Sequence, residues 1–176
     1  VAIPDAAIAV HFNGRFLQDG IAETAARLDA LSRTTRAVPI LLALGPCHGD
    51  GALQREISQA MAVPHLRIDA PRSLREIAAC IRGARVYVGS SLHGAVTARA
   101  FERPAIVVAR EAEGGHAKFS QFLAMHAQLV DSPRVLESAR VDSWNEGWAR
   151  ADRLLSTASE GAGSRGAPDP GRLGDA

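Results

Sequence analysis

Lysine is almost missing from this 176-residue chain: Lys118 stands alone beside nineteen arginines, a bias of the kind that codon usage in a GC-rich genome imposes. Cysteine is nearly absent too. Cys47 and Cys80 are too few for a disulfide framework and lack metal-ligand spacing, so both are expected to be reduced. Neither sign of charge dominates. The formal net charge is +1 and the basic residues are scattered, which excludes the electrostatic footprint of a nucleic-acid binder. No apolar run approaches the roughly 20 residues of a membrane span, and no charged-then-apolar leader precedes the first strand-like run. A cytoplasmic location without a membrane span is therefore expected. The first residue is Val1 rather than Met, so an excised portion with a missing partner domain is allowed for. No internal repeat is visible.

What is present is alternation. Ala6 to Val10 reads as a buried strand, and Ile21, Ala25 and Leu28 follow at helical spacing. Val38 to Leu44 is a second strand, with Leu53, Ile57, Ala60 and Met61 striping a second helix. His65 to Ile68 is a short third strand. Ser73 with Glu76 has the form of a capping box, ahead of a helix whose core face is Leu74, Ile77, Ala78 and Ile81. Arg85 to Gly89 is a fourth strand, followed by a small-residue helix from about His93 to Phe101. Ala105 to Ala109 is a fifth strand after Pro104. Phe119, Phe122, Leu123 and His126 stripe the next helix, and Gln128 to Val130 is a weak sixth strand. Trp144, Trp148, Ala151 and Leu155 mark the last helix, whose tryptophans are expected at a domain or subunit boundary. From Ser159 the composition turns to Gly, Pro, Ser and Asp. This divides the chain into an α/β lobe over 1–158 and a disordered tail over 159–176.

Apolar strands alternating with helices specify a doubly wound, Rossmann-like parallel sheet covered on both faces. Right-handed crossovers then put every strand-to-helix loop on one edge, where ligands bind. That edge carries His11, Asn13 and Arg15 after the first strand, Cys47, His48 and Asp50 after the second, and Asp69 and Arg72 after the third. Ser90, Ser91 and His93 follow the fourth strand; Arg110, Glu111, His116 and Lys118 follow the fifth. Four of the six histidines fall there, a cluster suited to proton transfer or anion binding. Plainer roles stand beside these. Ser90 and Ser91 fit a helix N-cap, a role compatible with an anion site. His11 and His48 fit structural positions, Asp69 fits a turn cap, and Cys47 beside His48 lacks the third group that would orient a thiol nucleophile. No metal site is expected, because His-x-x-x-His or similar spacing is missing.

The stretch from Arg85 to Pro104, with Gly89-Ser90-Ser91-Leu92-His93-Gly94 at its centre, resembles the carboxyl-terminal half of the polysaccharide pyruvyl transferase family. A small-residue helix, a Pro-led strand and then Lys118 before Phe119, Phe122 and Leu123 extend the resemblance over roughly residues 6 to 130. It implies the second lobe of a two-lobed enzyme like the glycosyltransferase B fold, with an amino-terminal lobe as partner. The implied reaction moves a pyruvyl group from phosphoenolpyruvate onto a sugar of a surface polysaccharide, with no cofactor besides that donor. His93 becomes the candidate acid or phosphate contact and Lys118 a candidate anion contact. Ser90, Ser91, Arg15, His11, His48, Arg110 and His116 complete the candidate substrate site. The pattern departs from the family at Ser91, where an arginine commonly clamps the donor; Arg15 or Arg110 is the substitute, or the donor differs. The alternatives are a sugar-nucleotide-binding lobe of a glycosyltransferase-like enzyme and a catalytically silent lobe that binds glycan or a partner.

Overall fold

The computed structural model describes residues 2–45, 49–108, 119–122, 124–125 and 141–163, with backbone alone for Val141 and 158–163. Its strands are β1 (Ala7–His11), β2 (Val38–Leu42), β3 (Leu66–Ile68), β4 (Val86–Gly89), β5 (Ala105–Val108) and β6 (Val141–Asp142). Between them run α1 (Ile21–Thr35), α2 (Asp50–Ala60), α3 (Leu74–Gly83) and α4 (Leu92–Ala100), and after them α5 (Trp144–Gly163). Residues 119–122 and 124–125 are helical as well. The strands form one sheet in the order β3-β2-β1-β4-β5-β6, every pairing parallel. The expected doubly wound parallel sheet is thus the observed one.

Strand residues alternate between two cores, and this explains why the strands read as unbroken apolar runs. Ile8, Val10, Val86, Val88, Ile106 and Val108 face a layer that includes Leu28 of α1, Ile57 of α2 and Leu155 of α5. Ala7, Ala9, Tyr87, Ala105 and Val107 face the opposite layer, with Ile81 of α3 and Ala95 and Ala98 of α4. With both faces covered, neither position of the two-residue period can be polar. Pro39, lacking an N–H, is tolerated in an interior strand because β3 pairs only from Ile40 onward. The Val38 N–H on the other side donates to Ala6 O at 2.7 Å.

The capping box at α3 forms in a modified way. Ser73 Oγ accepts from the Glu76 N–H at 3.3 Å, and the Glu76 carboxylate takes the Arg72 N–H at 2.7 Å. The Gln128 to Val130 strand lies outside the described residues; the strand beside β5 is Val141–Asp142. α5 runs past the compositional shift at Ser159 to Gly163.

The boundary position expected for the tryptophans is overturned. Trp144 and Trp148 are both buried within this domain's own core. Phe12, at the end of β1, lies 5.4 Å from the Trp144 ring and 5.9 Å from that of Trp148, and the two indoles meet edge-on at 6.0 Å. Burial of an indole calls for a partner for its N–H, and Trp144 Nε1 donates to Asp19 Oδ2 at 2.6 Å. That carboxylate also accepts from Arg27 Nε at 2.6 Å, so α5 is tied to the start of α1. Among the described residues, no helix is long and apolar enough to cross a membrane.

Candidate active site

The strand order changes direction between β1 and β4, since α1 leads from β1 toward β2 and α4 leads from β4 toward β5. In open α/β sheets the crevice at the carboxyl ends of such a strand pair is where ligands sit. Here the two ends meet closely. The Ser90 N–H donates to His11 O at 3.0 Å, and a Cβ at Gly89 would stand 2.1 Å from that oxygen, so no side chain fits at this position.

From that contact the chain turns straight into α4. Ser91 is the N-cap, its Oγ accepting from the Gly94 N–H at 3.5 Å. Tyr87 braces the turn from inside the sheet, its hydroxyl donating to Ser91 O at 3.4 Å. Burial pushes the Tyr87 phenol well above its ordinary value, so it stays a neutral donor. Gly94 lies directly on that ring; a Cβ there would be 2.3 Å from the phenol oxygen. His93 is the second residue of α4 and its side chain is exposed on this edge. The first N–H groups of a helix have no intrahelical carbonyl partner and form its positive end. His93 therefore stands beside backbone suited to an anion.

Beneath this surface lies a layer of buried and half-buried polar side chains. The Asn13 N–H donates to Ser90 Oγ at 2.8 Å, and Asn13 Nδ2 donates to Asp50 Oδ1 at 3.3 Å. Asp50, 4% exposed, accepts the Gly45 N–H on its other oxygen at 3.1 Å. His11, 2% exposed, donates from Nδ1 to Leu42 O at 2.9 Å, which leaves Nε2 facing Asp50 Oδ2 at 3.6 Å. Burial lowers the His11 pKa below its ordinary value, with the Leu42 carbonyl and the Asp50 carboxylate pulling the other way. Gln54 Nε2 donates to Phe12 O at 2.7 Å and secures the same loop from α2.

The residues expected at the site thus separate by depth. Ser91 and His93 lie at the edge, and Arg15 is exposed in the loop after β1, its guanidinium 5.7 Å over the Phe16 ring. Phe16 meets Phe119 edge-on at 6.1 Å. Ser90 and His11 sit under the surface, holding backbone in place. His48, Arg110, His116 and Lys118 lie outside the described residues, as does Cys47. The Asp69 carboxylate pairs with Arg55 at 3.0 Å and Arg67 at 3.4 Å, and the Arg55 contact holds its carboxyl below the usual range. Sequence reasoning put Asn13 and Asp50 on this edge without a role, and it missed Gln54 and Tyr87. Those two lie inside an apolar helix stripe and an apolar strand, where nothing marks a polar function. Among the described residues, no group of three or more His, Cys, Asp or Glu is gathered as a metal would require.

Among the described residues, a six-stranded parallel sheet in the order 3-2-1-4-5-6, with a helix start at its switch point, defines a Rossmann-like α/β protein, a class whose ligands bind at the strand ends. The chain belongs to the polysaccharide pyruvyl transferase family, whose model matches residues 5–111, more than half of its length. That match spans β1 to β5 and includes His11, Ser90, Ser91, His93 and Arg110; His116 and Lys118 fall beyond it. The family is one of transferases acting on carbohydrate. No curated protein matches the chain. Among solved structures, UDP-GlcNAc 2-epimerase from Neisseria meningitidis bound to UDP-GlcNAc is similar at 14% identity and a TM-score of 0.43. The likeness covers 89% of this chain and 45% of that one, so the chain spans less than half of that protein's length.

Proposed function

We propose that the chain supplies the donor-binding lobe of an enzyme that moves a pyruvyl group from phosphoenolpyruvate onto two hydroxyls of a sugar in a surface polysaccharide. The observation that carries this reading is the exposed His93 on the first turn of α4, at the switch point and within the matched family span. Phosphoenolpyruvate is a phosphate and a carboxylate on an enol. The free N–H groups at the start of α4 suit one of these anions, and the exposed Arg15 suits the other. The methylene carbon takes a proton, two sugar oxygens bond to the adjacent carbon as their hydroxyls lose their protons, and inorganic phosphate leaves with the former enol oxygen; one hydroxyl proton replaces the one spent on the methylene carbon and the other departs with the phosphate. His93 is the group placed to donate that proton or to hold the departing phosphate. Arg15 takes the part that the arginine commonly at the position of Ser91 plays in the family. In this reading an amino-terminal lobe would bring the acceptor.

His93→Ala in the enzyme containing this chain, assayed with phosphoenolpyruvate and acceptor, is expected to lower turnover by about 100-fold or more with little change in Tm. Unchanged turnover would make His93 a surface residue of the helix and overturn the assignment. A second reading is favoured by the strand order, which in other proteins carries nucleotides, and by Ser91 in place of the arginine clamp. It makes the same edge a sugar-nucleotide site. Protection against thermal unfolding by a nucleotide sugar, with none from phosphoenolpyruvate, would favour it.

A further inference from the structure

Beyond the last ladder bond, from Ser90 N to His11 O, the sheet no longer holds the loops that surround the start of α4. Side chains take over, and they converge on one group. The Asp50 carboxylate sits on the first turn of α2, buried, with Asn13 Nδ2 at 3.3 Å on one oxygen and the Gly45 N–H at 3.1 Å on the other. Asn13 is itself held rigid. Its Oδ1 accepts the Arg15 N–H at 3.0 Å, and its own N–H donates to Ser90 Oγ at 2.8 Å. A buried carboxylate is costly unless its oxygens are satisfied, and these are satisfied by two loops that follow different strands.

We propose that Asp50 is a positioning residue for the α4 site: through Asn13 it clasps the loop after β1 to the Ser90-Ser91 turn, and so fixes where Arg15 and the first N–H groups of α4 stand. The proposal rests on reading that turn as the donor site. An acceptor-only group is required at position 50. In Asp50→Asn one oxygen becomes an NH2, which must then face either the Asn13 amide or the Gly45 N–H, donor against donor. One of the two loops is released.

The test is a double-mutant cycle over Asn13→Ala, Asp50→Asn and both together, read in two ways. The first readout needs no ligand: backbone amide shifts of Arg15, Ser90, Leu92 and His93 in the 15N-labelled chain. Asn13→Ala and Asp50→Asn are expected to move the same amides, and the double variant no further than Asn13→Ala alone. The second readout is kcat/KM for phosphoenolpyruvate in the enzyme, expected to fall about 10- to 100-fold in either single variant and no lower in the double. Asn13→Ala removes a partly buried side chain from a loop, so it gives a readout even if Asp50→Asn fails to fold. Amides at Ser90 and Leu92 that stay put in Asn13→Ala would overturn the clasp, as would kcat/KM effects that multiply in the double variant. Amide coupling as expected, in an enzyme that does not use phosphoenolpyruvate, would support the clasp and discard the donor.

Discussion

His11 shows how a residue typical of chemistry becomes a structural one. The ring lies at the end of β1 with no access to solvent, one nitrogen committed to the Leu42 carbonyl and the other near Asp50. Because burial holds its pKa below the value of an unfolded chain, the unfolded state binds the proton more readily as pH falls through about 6.5. Stability is therefore lost on acidification in that range and the slope flattens below the depressed folded pKa. His11→Asn keeps a donor for Leu42 and has no such titration. Urea unfolding between pH 7 and pH 5 is expected to show a steeper loss for the natural protein than for His11→Asn; equal slopes would mean that His11 is not buried as a neutral ring. Their position after a strand does not by itself separate His11 from His93. Both follow an apolar strand, and the difference between them is depth. His11 still belongs to its strand and inherits the strand's burial, whereas His93 has already entered the first turn of a helix.

At the level of elements, period and polarity placed nearly everything that positions the site. The apolar runs gave the strands, Pro104 and Gly89 bounded them, and Ser91 capped α4 as a serine at that spacing should. The tryptophans misled because a large apolar face on a terminal helix has two outlets, a neighbouring domain or the sheet itself. Phe12 decides the matter, extending the core past the end of β1 to meet both indoles. β6 was not read because a two-residue pairing leaves no periodicity to find. Gly94 was legible as part of the Ser-Leu-His-Gly block and of a small-residue helix, but not as the point where α4 closes on the Tyr87 ring. Gly94→Ala should be destabilising by about 1–3 kcal/mol despite the better helix propensity of alanine, because the ring and the turn have to move apart. Denaturant unfolding checks this, and a neutral or stabilising substitution would show that α4 does not press on Tyr87.

Seen as a whole molecule, the chain gathers its candidate site residues along one edge of a doubly wound sheet, and the order of its strands puts β1 and β4 at the centre of that edge. The chain's family is one of transferases acting on carbohydrate, and the proposed anionic donor is read from the placement of His93 and Arg15. Strand order itself was not written in the sequence, since alternation of strands and helices fits several doubly wound arrangements, and only pairing selects one. The donor position is most directly tested by titrating phosphoenolpyruvate into the 15N-labelled enzyme and following backbone amides. Saturable shifts are expected at Ser91, Leu92 and His93, with Arg36 and Arg85 on the opposite edge unmoved. Binding that leaves the first turn of α4 untouched, or that moves the opposite edge instead, would contradict the assignment.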